Sequence, residues 1–153
     1  MPKELFTATI ESIGHLKMKC SSRNFTFHVD EPKSLGGTDE AMNPVEALLS
    51  AFGACQCIVA KSFARKHKIN LNDIQVKVEG ELDTDGFTGR NKNAKLGFSK
   101  ITSKFYIDAD NTEQEIRDFI AFVESNCPVL DTIVNTPEIV TEVYPGKKTA
   151  DYL

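Results

Sequence analysis

Residues 43–67 read NPVEALLSAFGACQCIVAKSFARKH, and they decide the fold. Asn43 suits an N-cap, and Pro44 suits the first helical position, where its missing N–H costs nothing. Glu46 falls in the first turn and Arg65, Lys66 and His67 in the last, as the helix dipole favours. At about 100° per residue, Leu48, Ala51, Phe52, Cys55, Ile58, Val59, Ser62 and Phe63 share one face. Ser50, Gly53, Ala54, Cys57, Ala60 and Ala64 form a second, small-residue surface. A helix apolar or small nearly all round is buried on two sides, against a symmetry mate or under a sheet of its own chain.

The flanking sequence supplies strands and little else. Upstream, residues 4–30 alternate with period two around turns at Gly14 and Ser21-Ser22, predicting a three-stranded antiparallel meander with one wet face. Residues 31–42 (EPKSLGGTDEAM) are a loop. Downstream, Ile74 to Leu82 and Ile101 to Ile107 alternate as strands, joined by a long, charged hairpin loop over 83–97. Thr112 and Glu115 have capping-box spacing ahead of an Ile116, Phe119, Ile120, Val123 stripe. Asn126-Cys127-Pro128 breaks that helix, and Val129–Val134 reads as a short further helix. Ile139, Val140 and Val143 predict a last strand, followed by a polar tail after Pro145. Hairpin-joined strands interrupted by helices make the fold α+β with antiparallel sheet, in one domain over residues 1–153.

Composition narrows the function classes. The chain has 41% hydrophobic and 26% charged residues and a net charge of −4, an ordinary globular balance that argues against nucleic acid as a partner. The longest uninterrupted apolar run is far short of the roughly 20 residues of a membrane span. Residues 1–12 hold no apolar signal core, so the expected compartment is the cytoplasm and no membrane is expected. In a reducing compartment its four cysteines are free, catalytic or metal-binding rather than a disulfide framework.

Those cysteines carry the candidate chemistry. Cys55 and Cys57 point about 200° apart on a helix and make a poor metal pair, so no metal site is expected. Two readings fit Cys55: a small buried hydrophobe, or a nucleophilic thiolate at the inner end of an apolar pocket. Cys127, just before Pro128, is either a turn residue or an accessible thiol that free N–H groups of a following helix favour as thiolate. Cys20 and Cys57 read as spectators. Neither His15, His28 nor His67 forms a catalytic constellation in the spacing, and Gly36-Gly37 is a turn rather than a phosphate cradle.

Asn43-Pro44, Glu46, Leu48 and Gly53-Ala54-Cys55, with a Cys-Pro-Val at 127–129 and Gly36-Gly37-Thr38-Asp39-Glu40 upstream, resemble the OsmC/Ohr family over essentially the whole chain. The resemblance implies an intertwined α+β homodimer with long central helices between two sheets. It implies a thiol-dependent peroxidase with Cys55 as the peroxidatic and Cys127 as the resolving cysteine, working without metal or organic cofactor. The expected partners are an organic hydroperoxide, which the apolar stripe beside Cys55 suits better than hydrogen peroxide, and a dithiol reductant. The family's peroxidases carry a glutamate directly after Asn-Pro, paired with an arginine. Here that position is Val45; Glu46 and Arg23 are the nearest counterparts. The alternatives are an OsmC-like module that binds a small apolar or thiol ligand without turnover, and a redox sensor in which Cys55 and Cys127 switch as a pair.

Overall fold

The structure is a computed structural model that describes residues 2–146; the expected polar tail lies, from residue 147 onward, outside them. The elements follow the order β1 (Thr9–Gly14), β2 (Lys17–Ser22), β3 (Phe25–Val29), α1 (Pro44–Phe63), β4 (Leu71–Glu81), α2 (Thr84–Phe87), β5 (Lys100–Ala109), α3 (Glu113–Ser125) and α4 (Pro128–Val134). They form two compact units, one of residues 2–47 with 138–146 and one of Leu48–Pro137. The α+β class with antiparallel sheets and a central helix is as the sequence predicts.

The first unit is the meander, in the order β1-β2-β3. Its register pairs Ile10 with Cys20 and Cys20 with Phe27, and Met18 with Val29, so these residues share one face. Glu11, Lys19 and His28 form a rung of the other, wet face. The strands start at Thr9 rather than in the first alternating residues, and Leu5 and Phe6 are exposed. The apolar face is largely open as well: Ile10 is 57%, Phe25 65% and Phe27 56% exposed.

After β3 the loop is organised by one carboxylate. Asp30 is buried and accepts hydrogen bonds from the Thr38 hydroxyl and from the backbone N–H groups of Glu31, Thr38 and Glu40. The chain folds back tightly enough that a Cβ on Gly37 would run into the Glu31 carbonyl. The loop then delivers Asn43 as the N-cap of α1: its Oδ1 accepts from the Glu46 N–H at 2.9 Å, and Glu46 Oε2 accepts from the Asn43 N–H at 2.8 Å. This is a complete capping box.

In the second unit β4 and β5 form a hairpin whose inner face, Ile74, Val76, Val78 and Gly80 opposite Ile107, Phe105, Ser103 and Ile101, carries α1 and α3. Val59, Ala60 and Ala64 of the first helix region meet Ile69, Phe119 and Val123 in the core. Thr112 and Glu115 make the predicted capping box. The helix predicted over 43–67 ends at Phe63; Arg65, Lys66 and His67 lie in turns, where the His67 ring packs against Phe122 with centroids 4.0 Å apart and planes tilted by 40°. The long hairpin loop contains one helical turn, α2, capped by Asp83.

Three expectations are corrected. Ile139, Val140 and Val143 form no strand and are at least 72% exposed; β-branched residues favour a strand, but a strand exists only by pairing, and within the described residues they pair with no edge. Small and weakly polar residues break the apolar run of α1 without lowering its average. It is 20 residues long with a mean hydropathy of 1.3, enough by length and composition alone to cross a bilayer, yet its Phe52, Gly53, Gln56, Val59 and Ala60 are buried within the protein. Third, that buried stripe is centred on Gln56, between the two faces expected from the pattern, and leaves Leu48 at 43% and Ile58 at 63% exposed.

The Asp30 carboxyl is held down to about 2, chiefly by the Thr38 hydroxyl and further by the backbone N–H groups, against the effect of burial. A carboxyl depressed from 3.8 on folding contributes stability above that value and loses it as pH falls toward about 2. Chemical unfolding between pH 6 and pH 2 is expected to show this acid loss, and Thr38→Val is expected to make it smaller.

Candidate active site

Cys55 lies in the middle of α1, 100° round the helix from Gln56. The orientation of α1 on the hairpin sets where it points. Gly53 lies against β4 so closely that an added Cβ would sit 3.0 Å from Val78 Cγ2, and the Ser103 hydroxyl of β5 donates to Gln56 Oε1 at 3.0 Å. With that side facing the sheet, Cys55 turns to the α3 side, half-buried against the core cluster that contains Phe119 and Val123.

The second thiol arrives through a helix break. The last turn of α3 closes with Asn126 N–H donating to the Val123 carbonyl and Cys127 N–H to the Glu124 carbonyl, both at 3.3 Å. Pro128 then starts α4 with Cys127 as its N-cap, and the Leu130 N–H donates to Cys127 Sγ at 3.5 Å. The Cys127 thiol also meets the Cys55 thiol as a hydrogen-bonding neighbour. The two candidate cysteines, 72 residues apart in the chain, are therefore in side-chain contact, both as free thiols.

The expected accessibility of Cys127 is corrected: it is 2% exposed. Burial pushes its thiol up, and proximity to Cys55 adds to this, while the N–H groups of Leu130 and Val129 pull it down. Loss of water around a thiolate outweighs two backbone dipoles here, so the helix start does not produce the low-pKa thiol that its position in the sequence predicts. Cys57 is half-buried on the β4 side, and burial pushes its thiol up as well. Cys20 sits inside β2 on the apolar face.

Arg23 lies in the β2–β3 turn with left-handed backbone (φ 54°), its guanidinium 5.0 Å from the Phe25 ring centroid. The Glu46 carboxylate accepts from the Asn43 N–H in the α1 cap. Val45 is 38% exposed. Among the described residues no His, Cys, Asp and Glu cluster has the arrangement of a metal site.

Gln56, the residue between the two helical cysteines, is one that sequence reasoning missed. It is fully buried, and its Nε2 has no hydrogen-bond partner among the described residues. The signal was present: Phe52 and Ala60, one turn before and after it, are apolar, so a polar residue stands on what is otherwise a core stripe.

Comparison with known proteins agrees with the topology. The family model of OsmC-like proteins matches residues 37–142. The chain belongs to the OsmC-like protein family. The hydroperoxide reductase of Mycoplasma genitalium is 29% identical over 116 residues, 75% of this chain and 77% of the relative. A hydroperoxide reductase of Mycoplasma pneumoniae is 29% identical over 106 residues, 69% of this chain and 72% of the relative. The crystal structure of an OsmC-like protein from Mycoplasma pneumoniae superposes with a TM-score of 0.71 at 29% identity, covering 88% of this chain and 89% of that one.

In this OsmC-like protein the unequal exposure of the two thiols has a direct chemical readout. Limited iodoacetamide labelling of the reduced protein, followed by peptide mapping, is expected to modify Cys55 well before Cys127. Equal labelling in the folded state would contradict the buried placement of Cys127.

Proposed function

We propose that this chain is a thiol-dependent peroxidase that reduces organic hydroperoxides. The observation that carries the reading is the side-chain contact between Cys55 and Cys127. Membership of the OsmC-like family and two relatives named hydroperoxide reductase support it. The Cys55 thiolate attacks the terminal oxygen of R–O–O–H. The O–O bond breaks, Cys55 becomes a sulfenic acid and the alkoxide leaves, taking up a proton as the alcohol. Cys127 Sγ then attacks the sulfenic sulfur, water leaves and a Cys55–Cys127 disulfide forms. An external dithiol reduces it by two exchange steps, becoming a disulfide itself and returning both thiols.

The buried resolving thiol suits its part. Cys127 is shielded from direct oxidation and waits beside the sulfur it must meet, so no long movement separates the two steps. The reading takes the chain as one OsmC-like domain over residues 1–153, acting in a reducing cytoplasm where its four cysteines stay thiols between turnovers, and as part of a defence against oxidative stress. It assigns no metal, organic cofactor, nucleic acid or membrane to the chemistry. Glu46 and Arg23 are its candidates for activating Cys55.

The reading also includes a homodimer. The meander leaves the Ile10, Phe25 and Phe27 face open, and α1 leaves Leu48 and Ile58 uncovered. Exposed apolar surface on this scale marks an interaction site, and a second copy supplies surfaces of the same character. Light scattering is expected to give about twice the 17.0 kDa chain mass, and Ile58→Glu is expected to shift the protein toward the monomer.

One observation favours a second reading, an OsmC-like binding or redox-sensing protein without efficient turnover. Val45 occupies the position of the family's activating glutamate, and Glu46 closes a cap instead. The two readings separate in one experiment with cumene hydroperoxide. Stoichiometric peroxide is expected to produce a Cys55–Cys127 disulfide by peptide mass mapping, and excess peroxide with a dithiol to give multiple turnovers. Cys55→Ser is expected to abolish consumption; Cys127→Ser is expected to retain the first oxidation and then accumulate sulfinic acid on Cys55. A single disulfide with no turnover selects the sensor, and a Cys55 that stays a thiol in excess peroxide sinks the peroxidase.

A further inference from the structure

Two residues of α1 meet the same rung of the hairpin. Val78 of β4 and Ser103 of β5 stand directly opposite each other. Gly53 lies over Val78, where an added Cβ would sit 3.0 Å from Cγ2, and Gln56 Oε1 accepts from the Ser103 hydroxyl at 3.0 Å. Gly53 and Gln56 are three residues apart and so neighbour each other on the helix surface. The two contacts differ in kind. A glycine lets two backbones come close but has no side chain to interlock. A hydrogen bond weakens steeply as donor, hydrogen and acceptor leave a line, so the Gln56 bond resists rotation of α1 about its own axis.

Rotation is the freedom the rest of the helix leaves open. Apolar or small residues lie nearly all round α1, so hydrophobic burial, which is non-directional, holds no single rotation strongly. The thiol pair is sensitive to it. Cys55 precedes Gln56 by one residue and meets Cys127 as a hydrogen-bonding neighbour. Turning a helix by about 20° carries a Cβ by roughly 1 Å, the whole usual range of Cβ separations in a disulfide.

Stability does not account for a glutamine here. Gln56 is fully buried at the centre of the stripe formed by Phe52, Gly53, Val59 and Ala60, and its Nε2 has no partner among the described residues. An unpaired buried donor is costly, and methionine, of similar length and volume, would avoid that cost. A buried polar residue that fixes register at the expense of stability is known from coiled coils. We propose that the Gln56–Ser103 hydrogen bond is a rotational latch, and that Gln56 is a positioning residue holding α1 in the rotation that sets Cys55 against Cys127. It acts on Cys55 through the helix backbone. The value of the latch to catalysis rests on the peroxidase reading; the latch itself rests on the contact between the thiols.

The test joins the thiols without peroxide. The reduced protein is treated with limiting diamide, an azo oxidant that takes two electrons and two protons from a thiol pair and becomes the hydrazine, and disulfides are mapped over time. The native chain is expected to form the Cys55–Cys127 disulfide. Gln56→Met is expected to keep or raise the urea midpoint while slowing that disulfide about three- to tenfold, the size of one neutral hydrogen bond. Ser103→Ala is expected to slow it by a similar factor, and Ser103→Thr, which keeps the hydroxyl, to restore the native rate. The two Ser103 variants decide the matter if Gln56→Met does not fold. Native-rate pairing in folded Gln56→Met or in Ser103→Ala overturns the latch, as does a Ser103→Thr as slow as Ser103→Ala. A native chain that pairs Cys55 with Cys127 under diamide but leaves cumene hydroperoxide unreduced overturns the peroxidase reading, and the variant rates then still support or overturn the latch.

Discussion

The close approach of α1 to the β4–β5 hairpin is the constraint on which the site depends. Gly53 is what allows it: a Cβ there would stand 3.0 Å from Val78 Cγ2, tight enough to move either the helix or the valine. Once Gly53 faces the sheet, 100° per residue fixes everything else on the helix. Gln56 falls on the hairpin side, where Ser103 takes its Oε1. Val59 and Ala60 fall into the core with Phe119 and Val123. Cys57 turns to β4, and Cys55 is left facing Cys127. A rotation of α1 by two residues, about 200°, would put Cys57 where Cys55 now faces Cys127.

The partner thiol is held by a different device. Cys127 occupies the junction where α3 stops and Pro128 begins α4, and two backbone hydrogen bonds of 3.3 Å close the end of α3. Such a junction fixes the Cys127 backbone from both sides. It also sets up a contest between the Leu130 and Val129 N–H groups, which favour a thiolate, and burial, which opposes it; burial wins. The outcome sets the two sulfurs apart: Cys55 is half-buried, and burial favours the protonated thiol at Cys127 beside it.

Elements whose residues carry their own local instructions were legible in the sequence. The α3 capping box, the Pro128 start of α4, the alternation of β1 to β3 and the hairpin strands follow from periodicity and cap chemistry alone. The two cysteine contexts were legible through their family resemblance, although their contact depends on tertiary packing that no spacing reveals. What failed depended on the rest of the fold. The strand predicted at Ile139, Val140 and Val143 has the right residues but pairs with no edge among the described residues. The apolar pattern of α1 shows where hydrophobic residues are, but not which side the hairpin covers. Its buried stripe therefore runs through Gln56, a residue that a hydrophobicity argument places at the surface.

The first turn of α1 shows how one residue of register separates structure from chemistry. A capping box needs its acid at the third helical position after the N-cap, because only there does the side chain reach back to the N-cap N–H. With Asn43 as N-cap that position is Glu46, and both bonds of the box are made. The family's activating glutamate stands one residue earlier, at the position of Val45, where it is rotated 100° and cannot close the box. Glu46 stands beside that position and closes the cap. Its carboxylate stabilises the start of the helix that carries Cys55, and any acceleration it lends to the thiol has to come after that hydrogen bond is satisfied. In this chain the hydrogen-bonding groups that act on the buried cysteine itself come from Cys55 and from the Val129 and Leu130 amides.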